Sequence, residues 1–148
     1  MNELAIALVA FMSADTAAGG LNAADGATGG FHRIKAPEGA LYPRIVFQPL
    51  TGLPSYVTVG EAYKKNFIQF RAHAKDPVNG GESGPAIASR LSKRVQTLFT
   101  DADFQITGYE LIYCRPEREL TSDTTQDQAN GEDVYSEGCV IEIWTANA

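Results

Sequence analysis

The stretch Ala62-Tyr63-Lys64-Lys65-Asn66-Phe67-Ile68-Gln69-Phe70-Arg71-Ala72-His73-Ala74 decides the architecture of this chain. In an extended backbone successive side chains point to opposite faces, so Asn66, Ile68, Phe70 and Ala72 share one face, with Phe67, Gln69, Arg71 and His73 on the other. Its length predicts a central strand. A polar, Gly-rich turn over 75–84 follows, and then the period changes from 2 to 3.6. Ser83 or Gly84 is placed to cap a helix, and Pro85 suits a first turn, where no backbone N–H is needed. Ile87, Leu91, Val95 and Leu98, with Phe99 beside them, make an apolar stripe. The opposite face carries Arg90, Lys93, Arg94 and Thr97, and Asp101 to Asp103 break the pattern.

Upstream, Leu4, Leu8, Phe11 and Met12, with Val9 in the same stripe, predict a short amphipathic helix over 3–13. The apolar run 4–12 has the length of a signal-peptide core, but Met1-Asn2-Glu3 carries an acid and no base, so a buried first helix is the better reading. The run is also far shorter than the ~20 residues of a membrane span. Segment 14–30 is rich in Gly, Ala and Asp and reads as a flexible loop that adds nothing to a core. A short strand over Phe31–Ala36 and a second at Tyr42–Gln48 come next, with Pro43 confined to the second strand's start. Residues 49–60, with two prolines and two glycines, read as a loop.

Downstream, Phe104 to Arg115 sets Phe104, Ile106 and Ile112 against Tyr109, Leu111 and Tyr113, a strand with a bulge expected at Gly108. Val134 to Thr145 closes the chain as a strand, with Cys139, Ile141 and Ile143 opposite Val140, Glu142 and Trp144. The order α-β-β-β-α-β-β predicts an α+β single domain of 148 residues: a mainly antiparallel sheet of about five strands with two helices on one face.

Between the last two strands the charge is concentrated. From Glu117 to Glu137 there are seven acids and one base, Arg118, which sums to the −6 of the whole chain and leaves 11 acids against 11 bases elsewhere. Residues 117–133 read as an acidic loop of about 17 residues, far longer than an ordinary hairpin connection. Its acids Glu117, Glu119, Asp123, Asp127, Glu132 and Asp133 are candidate partner contacts, complementary to the basic helix face of Arg90, Lys93 and Arg94 on a neighbouring copy. Exposed pairs of this kind select partner and register more than they add affinity, at about 0–1 kcal/mol each.

Chemistry has no comparable signal. His32 and His73 are the only histidines and lie on separate strands, without a local nucleophile. Gly81-Glu82-Ser83-Gly84 lacks the G-x-S-x-G spacing, and no phosphate-binding glycine motif or Ca²⁺-loop register occurs, so no catalytic residue, cofactor or metal is assigned. Cys114 and Cys139 lack metal-site spacing; equidistant from the midpoint of a hairpin they could face each other, although two reduced apolar cysteines are the plainer reading. A pI near 4.8 argues against general nucleic-acid or anionic-membrane affinity. The different-class alternative is a small enzyme or ligand-binding domain using His73, Tyr109 or Tyr113 in a cleft.

The order of elements, with Ala36-Pro37-Glu38-Gly39-Ala40 leading into Tyr42-Pro43-Arg44-Ile45-Val46-Phe47-Gln48, the long strand Asn66–Arg71, one amphipathic helix and a final Ile141-Glu142-Ile143-Trp144-Thr145, resembles the tail terminator (tail completion) proteins of long-tailed bacteriophages and phage-like particles. The resemblance covers roughly residues 3–146; segments 14–30 and 117–133 depart from the pattern. It implies a structural role without chemistry. Such proteins form a ring, typically of six subunits, that caps the head-proximal end of the tail tube, stops tube growth and gives the head or neck connector a joining surface. It implies contacts with self, tail tube protein and connector, and a channel through which DNA passes without specific binding. The implied location is the virion tail, and the host cytoplasm during assembly. A neck, head-closure or minor tail component is the related alternative.

Overall fold

The computed structural model describes residues 2–50, 63–78, 80–127 and 130–147, apart from the side chain of Asn2. Seven elements follow in the order α1 (Asn2–Ser13), β1 (Phe31–Arg33), β2 (Arg44–Pro49), β3 (Tyr63–Ala74), α2 (Gly84–Leu98), β4 (Tyr109–Gln126) and β5 (Asp133–Asn147). They build one five-stranded sheet in the order β1-β2-β3-β5-β4, parallel only between β1 and β2. The α+β class and the central place of β3 agree with the sequence reading. Most of the loop expected over 49–60 lies outside the described residues.

Both helices pack on one sheet face because the alternation of β3 presents Ile68, Phe70, Ala72 and Ala74 there, all buried. β2 adds Ile45 and Phe47, and β5 adds Cys139, Ile141 and Ile143. Phe99, just past α2, meets Phe70 at 5.1 Å and Phe11 of α1 at 5.3 Å between ring centroids. One aromatic contact set thus ties both helices to the sheet, with burial worth about 1.5–3 kcal/mol for each such side chain. α2 starts as its sequence dictates: Ser83 is the N-cap, its hydroxyl accepting from the Ala86 N–H at 3.4 Å, and Pro85 sits in the first turn.

Four expectations are corrected. Segment 14–30 is part of the packed structure: Leu21 and Ala27 lie in the core. Asp15 folds the segment back, its carboxylate accepting from the Leu21 N–H at 2.8 Å while the Asn22 N–H donates to the Asp15 carbonyl. Close turns bring backbone over Gly20 and Gly26, where a Cβ would collide with neighbouring carbonyls. The glycines are therefore required by tight approach, although composition made them look like slack.

The acidic stretch 117–133 is strand for most of its length. Pairing of β4 with β5 runs out to Gln126↔Asp133, so the connection shrinks to residues 127–132. Charge on an edge strand protects it against pairing with other chains. Thr121, Thr124 and Thr125 favour extended backbone, so the polarity that suggests a loop belongs here to an exposed edge. Three register shifts, at Leu111/Tyr113, Pro116/Arg118 and Leu120/Asp123, bend this edge. The strand expected from Phe104 begins only at Tyr109, because residues 107–108 turn, with Gly108 at φ +81°. Ile106 instead bridges to Tyr109, and the shift at Ile112 leaves that side chain exposed while Tyr109 and Leu111 pack on the core.

The cysteines do not face each other. Cys114 lies opposite Ile143 and Glu119 lies opposite Cys139, because the turn is centred later in the chain and the bulges displace β4. Both thiols are free and buried, and burial pushes each up to about 12, so neither is a thiolate at neutral pH.

Candidate functional site

The second sheet face, turned away from the helices, carries the polar residues of β2, β3, β5 and β4. Arg44, Val46 and Gln48 stand beside His73, Arg71 and Gln69. Gly138, Val140, Glu142 and Trp144 of β5 come next, then Tyr113, Arg115, Arg118 and Leu120. No described helix or strand packs over this face.

At its centre Glu142 is only 4% exposed, yet ionised. Lys65 Nζ lies 3.1 Å from one carboxylate oxygen and Arg115 Nε 3.1 Å from the other. Trp144 Nε1–H donates to Glu142 Oε1 at 2.8 Å, and the Tyr113 hydroxyl donates to the same oxygen at 3.1 Å. Burial alone would push the carboxyl up; the hydrogen bonds from Trp144, Lys65, Arg115 and Tyr113 outweigh it and hold the pKa at about 2. The Tyr113 and Trp144 rings stack at 5.1 Å, and Lys65 sits 4.7 Å over the Trp144 ring. This cluster fixes a cationic, aromatic surface around one sunken carboxylate.

Toward the other end of the face, His73 lies between two guanidiniums. Burial, then the charges of Arg44 and Arg71, bring it down to about 4, so it is neutral at physiological pH. Arg44 donates to the Tyr42 hydroxyl and the Ala40 carbonyl, and Arg71 to the Thr121 carbonyl. Among the described residues, the three side chains of the enzyme alternative line no common cleft. His73 is opposite Ser136 and Tyr113 opposite Trp144, eight residues apart along β5, or about 26 Å. Tyr109 packs on the helix side. His32 donates from Nε2 to the Gly29 carbonyl at 2.8 Å. Among the described residues no three His, Cys, Asp or Glu side chains gather in a way that could hold a metal ion.

The residues marked in the sequence as contacts are distributed differently from the expected patch and arm. Arg94 pairs in two places with Asp15, at 2.6 and 2.9 Å, and Arg90 with Glu82 at 2.9 Å, with Asp25 nearby at 4.0 Å. Lys93 between them is exposed. In the hairpin, Asp127 and Glu132 meet Lys75 at 2.6 and 3.1 Å, fastening the turn to the end of β3. Glu117 pairs with the adjacent Arg118, Glu119 accepts from Gln96 of α2 at 3.4 Å, and Asp123 and Asp133 are exposed. Only spatial packing reveals these partners: Asp15 and Arg94 are 79 residues apart.

Replacing Asp15 with Ala is expected to remove about 1–3 kcal/mol, since Arg94 and the Leu21 N–H lose their acceptor together. Asp15→Asn should keep part of this through its carbonyl oxygen. The Arg94 hydrogen bond, opposing burial, lowers the Asp15 pKa, so its contribution is present above the unfolded value of about 3.9 and fades as pH falls below it. Urea unfolding at pH 7 and pH 3 checks this: the gap between wild type and Asp15→Ala should narrow in acid.

The fold is shared with a chain of a solved particle structure. A chain in the solved structure described as the virion of a native gene transfer agent (GTA) particle superposes with a TM-score of 0.63, over 97% of this chain and 95% of that one, at 13% identity. No protein-family model and no curated protein matches the sequence.

Proposed function

We propose that this protein is a structural subunit of a phage-like virion, of the tail-terminator type, acting as one member of a ring and carrying out no reaction. The observation that carries this reading is the end-to-end agreement in fold with a chain of a gene transfer agent virion. The α-β-β-β-α-β-β order, which resembles that of tail terminators, is in keeping with it. In this reading the ring, of six copies, caps the head-proximal end of the tail tube, ends tube growth and offers the opposite surface to the head or neck connector.

The exposed hairpin acids Glu117, Glu119, Asp123 and Asp133 face partners or the channel, where they would repel DNA and ease its passage. Lys93 is the basic contact of α2, while Arg90 and Arg94 reach a neighbour only by giving up partners in their own chain.

Deleting the gene and imaging the particles tests the reading. Overlong, headless tails, restored to uniform length by the purified protein, are the expected result. Tails of normal length joined to heads would overturn it, and tails of normal length without heads would assign the protein to the neck.

A further inference from the structure

We propose that, within the ring, the helix-free sheet face is covered by the helix layer of a second copy of this chain, front to back. This rests on the ring reading above and names the surfaces that form it.

Charge separates the two sides of the molecule. The helix-free face presents Arg44, Lys65, Arg71, Arg115 and Arg118 against Glu110, Glu142, Asp123 and the bulge residue Glu117, five bases to four acids, or +1. The helices and their connections, residues 1–30 and 82–104, hold Glu3, Asp15, Asp25, Glu82, Asp101 and Asp103 against Arg90, Lys93 and Arg94, six acids to three bases, or −3. Two copies meeting sheet to sheet would set like charges against each other. Sheet face against helix layer joins opposite signs, and such a heterologous contact repeats around a ring.

The edges of the sheet are poor alternatives. β4 is guarded by Pro116, three bulges and alternating charge, and β1 has three residues. The face has the substance of an interface. Strands of 3, 6, 12, 18 and 15 residues, at about 3.3 Å per residue and about 4.8 Å apart, give roughly 850 Å², close to the ~800 Å² per partner of a stable complex. Phe67, Val46, Leu120, Tyr113 and Trp144 are half-buried on it, and aromatic anchors of this kind concentrate binding energy.

A charge exchange tests the pairing. The variant Arg71→Glu/Arg118→Glu makes the sheet face acidic, and Glu3→Lys/Asp103→Lys makes the helix layer basic. Each variant alone then opposes like charges and should self-associate at least tenfold more weakly than wild type in light scattering. Mixed one to one, they can alternate with every contact complementary, so rings should return. Circular dichroism establishes that each variant is folded.

Wild-type protein gives an independent readout. Trp144, the sole tryptophan, lies on the covered face, so its emission should shift to the blue on assembly and revert as salt is raised. Wild-type rings with an unmoved Trp144 signal, or variants that assemble alone like wild type, would overturn this arrangement and leave the ring reading intact. A folded mixture that fails to assemble would do the same. A wild-type chain that stays monomeric alone and on purified tail tubes would end both.

Discussion

Exchanging Lys65 and Arg115 together for methionine is expected to lower stability clearly at neutral pH, because the carboxylate of Glu142 then keeps its charge without either cation. Lys65 and Arg115 are 29% and 60% exposed and could be solvated alone; Glu142, at 4%, could not. Without them the carboxylate keeps only the donors of Tyr113 and Trp144. Adding Glu142→Gln to the double variant should recover most of the loss, because the group then carries no charge to strand.

The pH dependence should change sign. In wild type the Glu142 pKa falls from 4.5 to about 2, so its contribution is full above 4.5 and is lost as pH drops toward 2. In the double variant burial dominates and raises that pKa, so the protein gains stability as the carboxyl protonates. Urea titrations between pH 3 and 7 decide the matter. A double variant as stable as wild type at pH 7 would show that the two cations do not hold the charge in place.

Leu21→Ala should destabilise by about 2–5 kcal/mol, the range for emptying a filled core position. Leu21 is fully buried, and its backbone is anchored by Asp15, so the surrounding turns have little freedom to close a cavity. Thr16→Ala, at an exposed position in the same segment, should stay within about 0.5 kcal/mol. Thermal unfolding of the pair measures the contrast. Equal midpoints would mean that 14–30 adds nothing to the core.

Leu21 also marks where sequence reading failed. A single leucine among glycines, alanines and aspartates has no periodicity to detect, and its burial follows from Asp15 pairing with Arg94 in a distant helix. The hairpin failed for a related reason. An edge strand is exposed on both faces near its end, so it shows no apolar alternation, and charges that protect an edge look like those of a loop. The basic face of α2 was legible as a stripe, but not as one already matched by Asp15, Asp25 and Glu82.

The sequence by itself determined the α+β class, the division of β3 and β5 into two faces, the central place of β3 and the start of α2 at Ser83 and Pro85. Each depends on side-chain spacing along a few consecutive residues, which backbone geometry translates directly into direction. The tertiary structure alone decided that Glu142 is a buried carboxylate held by four donors and that the two sides of the molecule carry opposite charge. Those properties arise between residues brought together from separate strands and helices, and Coulombic and burial effects depend on that distance, which no local pattern encodes.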